Sequence, residues 1–209
     1  MLPLKPRIIA AIFIGILSAQ CLFAAETGLV SAYSDVGRAK CASSGKATSD
    51  DAPVTRRCKM LDDLTLIAVY EGSAVRISVL RNGEDTGLRL GAGYDVGEEL
   101  EWRGRRRDQN FEPAAAILRL IERTGNKSYA SVLAILRVED GKICPAAWLD
   151  VEATPHANAV AREIADDAAG KFHCGTNAAR VIGKDTAGDD RARQMRISKT
   201  SEIAIACSC

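Results

Sequence analysis

A chain of 209 residues with 47% apolar side chains can bury a core, and its 28 basic and 27 acidic residues nearly cancel. That balance argues against a nucleic-acid binder, whose affinity comes from clustered cations meeting phosphates, and gives no pull toward an anionic membrane surface. Seven cysteines, six of them after residue 25, point instead to a fold tied by disulfides.

Lys5 and Arg7 form a short basic head, an apolar run follows from Ile8 to Phe23, and the small pair Ala24-Ala25 precedes Glu26. This is the layout of a secretory signal peptide over residues 1–25. A lipoprotein reading at Cys21 fails because Gln20, neither small nor apolar, stands before it. An uncleaved anchor is disfavoured: the run from Ile8 to Ala25 is 18 residues, at the lower limit for a span, and holds Gly15, Ser18 and Gln20. No later segment is apolar enough to span. The mature chain is thus expected to be soluble, periplasmic or secreted, with 26 basic against 27 acidic residues and a net charge of −1.

Residues 26–63 are polar and irregular, and a disulfide is needed to tie them down. Leu64 to Glu71 and Ala74 to Arg81 are β-rich runs around Gly72-Ser73, a hairpin signal. Asn82 to Gly97 reads as a long loop or irregular edge. Glu98 to Arg103 alternates, with Leu100 and Trp102 on one face and Glu99, Glu101 and Arg103 on the other. A meander follows: Ala114 to Glu122, a turn at Gly125-Asn126, Tyr129 to Glu139, a turn at Asp140-Gly141, then Ile143 to Val151. The middle strands are apolar on both faces and belong at the centre of a sheet covered on each side. Thr154 as N-cap and Pro155 at the first position start a helix over 155–169 that Gly170 ends. Ala179 to Gly183 adds a short strand, 184–209 is a flexible tail, and residues 64–183 form the sheet-and-helix body.

The mature cysteines Cys41, Cys58, Cys144, Cys174, Cys207 and Cys209 allow fifteen pairings. Proximity in sequence suggests Cys41–Cys58 and Cys144–Cys174, the second pinning the helix to the sheet. Cys207 and Cys209 bridge each other or partners elsewhere.

The run Leu100-Glu101-Trp102-Arg103-Gly104, then Pro113 and Ile117-Leu118-Arg119, resembles a group of small uncharacterised exported proteins of alphaproteobacteria. The likeness continues through Cys144, Asp150, Pro155, Asn158 and Cys174 and covers roughly residues 33–183. It implies a periplasmic or secreted bacterial protein, with Cys41, Cys58, Cys144 and Cys174 matching the group's pattern. It implies no activity. Residues 184–209 depart from the pattern.

Candidate chemistry is sparse. Arg103, Arg105, Arg106 and Arg107 beside Trp102 form the one dense cationic patch. Arginine forks suit phosphate and carboxylate groups, so an anionic envelope component or an acidic protein is the partner this patch would take. The bland reading is a basic turn at the sheet rim, partly neutralised by Asp108, Glu101 and Glu99. Glu98, Glu99 and Glu101 form an acidic cluster, and paired carboxylates serve glycoside hydrolysis; a solvated strand face explains them as well. His173-Cys174 suggests a nucleophile and base, with Asn158 or Asp150 as orienting group, against a Cys174 consumed by Cys144. Cys207-Ser208-Cys209 suggests a soft metal or thiol exchange but lacks further ligands. With His156 and His173 the only histidines, a three-histidine zinc site is excluded. Two phosphate-loop look-alikes, at Ser44-Gly45-Lys46 and Ile182-Gly183-Lys184, lack the upstream glycine. No cofactor motif is present.

The sequence therefore predicts an exported, disulfide-stabilised α+β protein: an antiparallel meander of about six or seven strands, covered on one face by a single C-terminal helix. Its expected role is non-enzymatic binding in the envelope through Trp102, Arg103, Arg105, Arg106 and Arg107. The alternatives are a small glycan-acting hydrolase using Glu99, Glu101 or Asp150, and a thiol or copper handler at Cys207 and Cys209.

Overall fold

The computed structural model describes residues 28–44, 53–61, 63–72, 74–91, 94–124 and 128–183. The expected signal peptide, the tail and its Cys-Ser-Cys, and the turn at Gly125-Asn126 lie outside the described residues. The fold is α+β and mostly strand. A six-stranded sheet runs β1 (Val30–Asp35), β7 (Tyr94–Arg107), β8 (Asn110–Thr124), β9 (Ser128–Glu139), β10 (Lys142–Asp150) and β11 (Arg180–Ile182). A five-stranded sheet runs β2 (Ala42–Ser44), β3 (Val54–Lys59), β4 (Leu64–Glu71), β5 (Ala74–Arg81) and β6 (Glu84–Asp85). Every neighbouring pair is antiparallel except β10 and β11, which the single helix α1 (Ala157–Lys171) connects in parallel.

The two-sided apolar pattern of the middle strands explains three layers. On β8 and β9 the residues Ala116, Leu118, Leu120, Ala134 and Leu136 face the five-stranded sheet, meeting Leu66 of β4 and Ile77 of β5. The alternate residues Ala115, Ile117, Leu133 and Ile135 face α1, which presents Ala157, Ala161 and Ala165. Alanines on that stripe let the helix lie close on the sheet. Burial of both faces accounts for the near-continuous apolar runs.

Three expectations need correction. Residues 26–63 are not irregular: they contain β1, β2 and β3. These strands are too polar to read as such, because backbone ladders to β7 and β4 hold them rather than apolar alternation. The stretch Asn82 to Gly97 is the irregular edge rather than the long loop, since it carries the edge strand β6. Asn82 and Gly83 both take positive φ and turn β5 into β6, and beyond it Leu88 and Leu90 are buried, with Leu90 bridging to Ile77. The helix runs over 157–171 rather than 155–169: His156, not Thr154, occupies the N-cap, and Gly170 lies inside.

Both suggested disulfides are present, Cys41–Cys58 and Cys144–Cys174. The first ties the crossing between the sheets to β3. The second joins β10 to the segment after α1. Among the described residues no helix is long and apolar enough to cross a membrane.

Candidate functional site

The helix covers β8 to β10 and the Arg103 end of β7 but leaves the same face of β1 and of β7 up to Glu101 open. The result is a trough of about 930 Å³, walled on one side by Asn158 and Arg162 of α1 and floored by β7 and β8. Strand alternation puts Glu99 and Glu101 together on this floor, about 7 Å apart at Cα. Their situations differ. Glu101 is only 11% exposed, accepts a 2.7 Å bond from Arg162 Nε, and accepts another from Ser31 Oγ. Glu99 is exposed. Asp150, at the end of β10, lies three strand spacings from β7, about 14 Å, and its Oδ1 accepts from the Ala153 amide. The structure thus groups Glu99 with Glu101 but not with Asp150, and Glu101 is already held by a cation.

The arginine patch divides sharply. Trp102 is 1% exposed, and its Nε1 donates to Ser34 Oγ at 2.9 Å. Arg103 is turned under the helix at 11% exposure. Its fork donates to Asp166 Oδ1 and Oδ2 at 2.8 and 2.6 Å, and it also donates to Ser31 Oγ and the Leu29 carbonyl. Hydrogen bonding to Asp166 raises the Arg103 pKa despite partial desolvation. These two residues therefore belong to the packing of β1, β7 and α1, and the expected rim contracts to Arg105, Arg106 and Arg107.

Those three sit on an arm. Pairing of β7 with β1 begins at Gly104, and pairing of β8 with β9 begins at Ala115. Among the described residues, 105–112 are therefore a two-stranded hairpin paired only with itself, turning at Asp108, whose φ is positive. Phe111 anchors it in the core. Arg107 Nε lies 3.4 Å from Glu112 Oε2, while Arg105 and Arg106 are exposed and make no ion pair among the described residues.

Elsewhere, Cys174 is consumed by Cys144, so the His173-Cys174 pair holds no free thiol. His173 Nδ1 instead meets Glu139 Oε1 at 2.8 Å, and Glu139 Oε2 accepts the Cys174 amide. That amide first, and His173 second, hold the Glu139 carboxyl below its usual range. His156 is exposed at the helix start. No group of three or more His, Cys, Asp or Glu that could hold a metal occurs among the described residues. Cys207 and Cys209 lie outside them.

Sequence reasoning passed over Arg162 and Asp166, the helix residues that grip Glu101 and Arg103. Their signal was present: they are four apart and flank the buried alanine stripe, so they share one edge of the helix. Replacing Arg103 by Met is expected to cost about 2 kcal/mol, because the Asp166 and Ser31 oxygens lose their donor. Asp166→Asn in the same background should then add less than about 0.5 kcal/mol in a denaturant titration. Full additivity would mean the pair is not coupled.

Fold and site together define a disulfide-tied α+β protein, two sheets and one helix, with an open trough and a basic arm. The disulfides fit an oxidising compartment outside the cytoplasm. No family model matches the chain, and neither the search of curated proteins nor that of solved structures finds a match.

Proposed function

We propose that this is a non-enzymatic binding protein of the bacterial envelope, exported to the periplasm or secreted, and that it holds an anionic partner on the hairpin arm. One observation carries the reading: among the described residues, Arg105 and Arg106 stand exposed without an ion-pair partner on a hairpin that extends past both neighbouring strands. Guanidinium groups held on a strand scaffold present planar forks to sulfate, phosphate or carboxylate with little further ordering. With 28 basic against 27 acidic residues the chain has no large net positive charge to attract anions in general. Glu101 in the trough is already paired with Arg162. That pairing withholds one of the two acids a glycan hydrolase there would use.

The test is a titration with dextran sulfate, with neutral dextran as control. The triple variant R105Q/R106Q/R107Q should bind at least about tenfold more weakly, about 1.4 kcal/mol, with a shallower salt dependence. Equal affinity of variant and parent, or no binding by the parent, overturns the assignment.

A further inference from the structure

Among the described residues four strands are sheet edges: β1, β11, β2 and β6. Three of them are blunted by length, at 3, 3 and 2 residues. Short edges are one way proteins avoid pairing with other strands. The fourth, β1, is 6 residues long and has no proline, no lysine and no bulge against β7. It also carries both of the large apolar side chains that stand exposed among the described residues, Val30 at 42% and Tyr33 at 54%.

The ladder says which backbone groups are free. Val36 N donates to the Glu98 carbonyl at 2.8 Å, in the register that sets Ser34 opposite Leu100 and Ala32 opposite Trp102. In an antiparallel pair the hydrogen-bonded positions alternate, so the amides and carbonyls of Ser31, Tyr33 and Asp35 point away from β7. Among the described residues no backbone partner meets them.

We propose that β1 pairs with β1 of a second copy of this chain, antiparallel about a two-fold axis at Tyr33. The choice of a second copy rests on self-complementarity. With Tyr33 on the axis, the same three outward residues hydrogen-bond across the seam, and each Ser31 faces the partner's Asp35. Ser31 Oγ donates to Glu101 and accepts from Arg103 Nη1 at 2.7 Å, so the partner's Asp35 meets a serine already held between an acid and a base. The two Tyr33 residues form the cross-strand pair at the axis, each ring on the trough face with its hydroxyl bonded to Arg162 of its own helix. The six-stranded sheet then continues through the dimer, and the troughs of the two copies open toward one another.

Sedimentation of the exported full-length protein, from about 5 to about 500 μM, should show a reversible monomer–dimer equilibrium. Amide exchange at Ser31, Tyr33 and Asp35 should slow as concentration rises. Tyr33→Lys sets two cations across the axis and should raise the dissociation constant at least about tenfold, with the melting temperature unchanged at concentrations where the parent is monomeric. The arm variant R105Q/R106Q/R107Q should dimerise like the parent, which separates this result from that of the binding reading. A parent that stays monomeric overturns the proposal. So does a dimer that Tyr33→Lys leaves intact, or exchange at the three amides that is already slow at the lowest concentration.

Discussion

Gly104→Ala should lower stability by about 3 kcal/mol and the melting temperature by about 10 °C. Gly104 lies where the β7–β8 register shifts, opposite Pro113 and at the root of the arginine arm. A Cβ there would stand 2.3 Å from the Glu112 carbonyl oxygen and 2.8 Å from Phe111 Cζ. Neither neighbour yields easily: the first is strand backbone, and the second is packed in the core. The methyl group must lever the arm off β7 or unseat Phe111. Gly170→Ala is the matched control, since nothing lies within 4 Å of its Cβ position inside the helix. That change should be neutral or stabilising by up to about 1 kcal/mol. Thermal melts of the two variants decide the matter, and a Gly104→Ala protein as stable as the parent would mean the arm is not paired as described. The same variant should weaken anion binding, because it displaces Arg105 and Arg106 without touching their charge.

How far the sequence reveals this architecture depends on where burial is written in side chains. The two-sided alternation of β8 and β9 demanded a cover on each face, and the alanine stripe of α1 supplied one. The other cover, the five-stranded sheet, was only half visible. Its strands β4 and β5 alternate clearly, but β3 reads Val-Thr-Arg-Arg-Cys-Lys and is held by its ladder to β4. The turn Asn82-Gly83 is a strong hairpin signal. It was masked because β6 is only 2 residues long, so no second alternating run follows. At the site the split is similar. Alternation placed Trp102 with Leu100 on the inner face, which is where it lies, and that removes it from any binding surface. The same rule put Arg103 on the outer face, which is also correct. What one sequence does not carry is that the end of α1 crosses that position and brings Asp166 to meet it. The exposed arginines could be listed from composition; which of them remain free is decided by tertiary neighbours.

Loss of the Cys144–Cys174 bridge is expected to have an effect as large as any other change considered. It closes a loop of 30 residues holding most of β10 and all of α1, and the chain-entropy model assigns such a loop about 3.5 kcal/mol. Residue 174 is also fixed from another side, through its amide bond to Glu139. The bridge therefore joins points already placed in the fold, as a native staple should. The double variant C144A/C174A should lose about 3.5 kcal/mol in a guanidinium titration, with a steeper slope because the unfolded chain, freed of the bridge, exposes more surface. A loss under about 1 kcal/mol would mean that the alanine contacts hold α1 without the staple. The shorter Cys41–Cys58 loop, 17 residues, contributes about 3 kcal/mol by the same model. Together the two bridges match a large part of the 5–15 kcal/mol that typically separates a folded domain from its unfolded chain. Without an oxidising compartment, this chain should therefore sit at the edge of unfolding. Residues 26–209 made in a reducing cytoplasm should yield little folded protein, whereas the same residues refolded under oxidising conditions should yield the doubly bridged form.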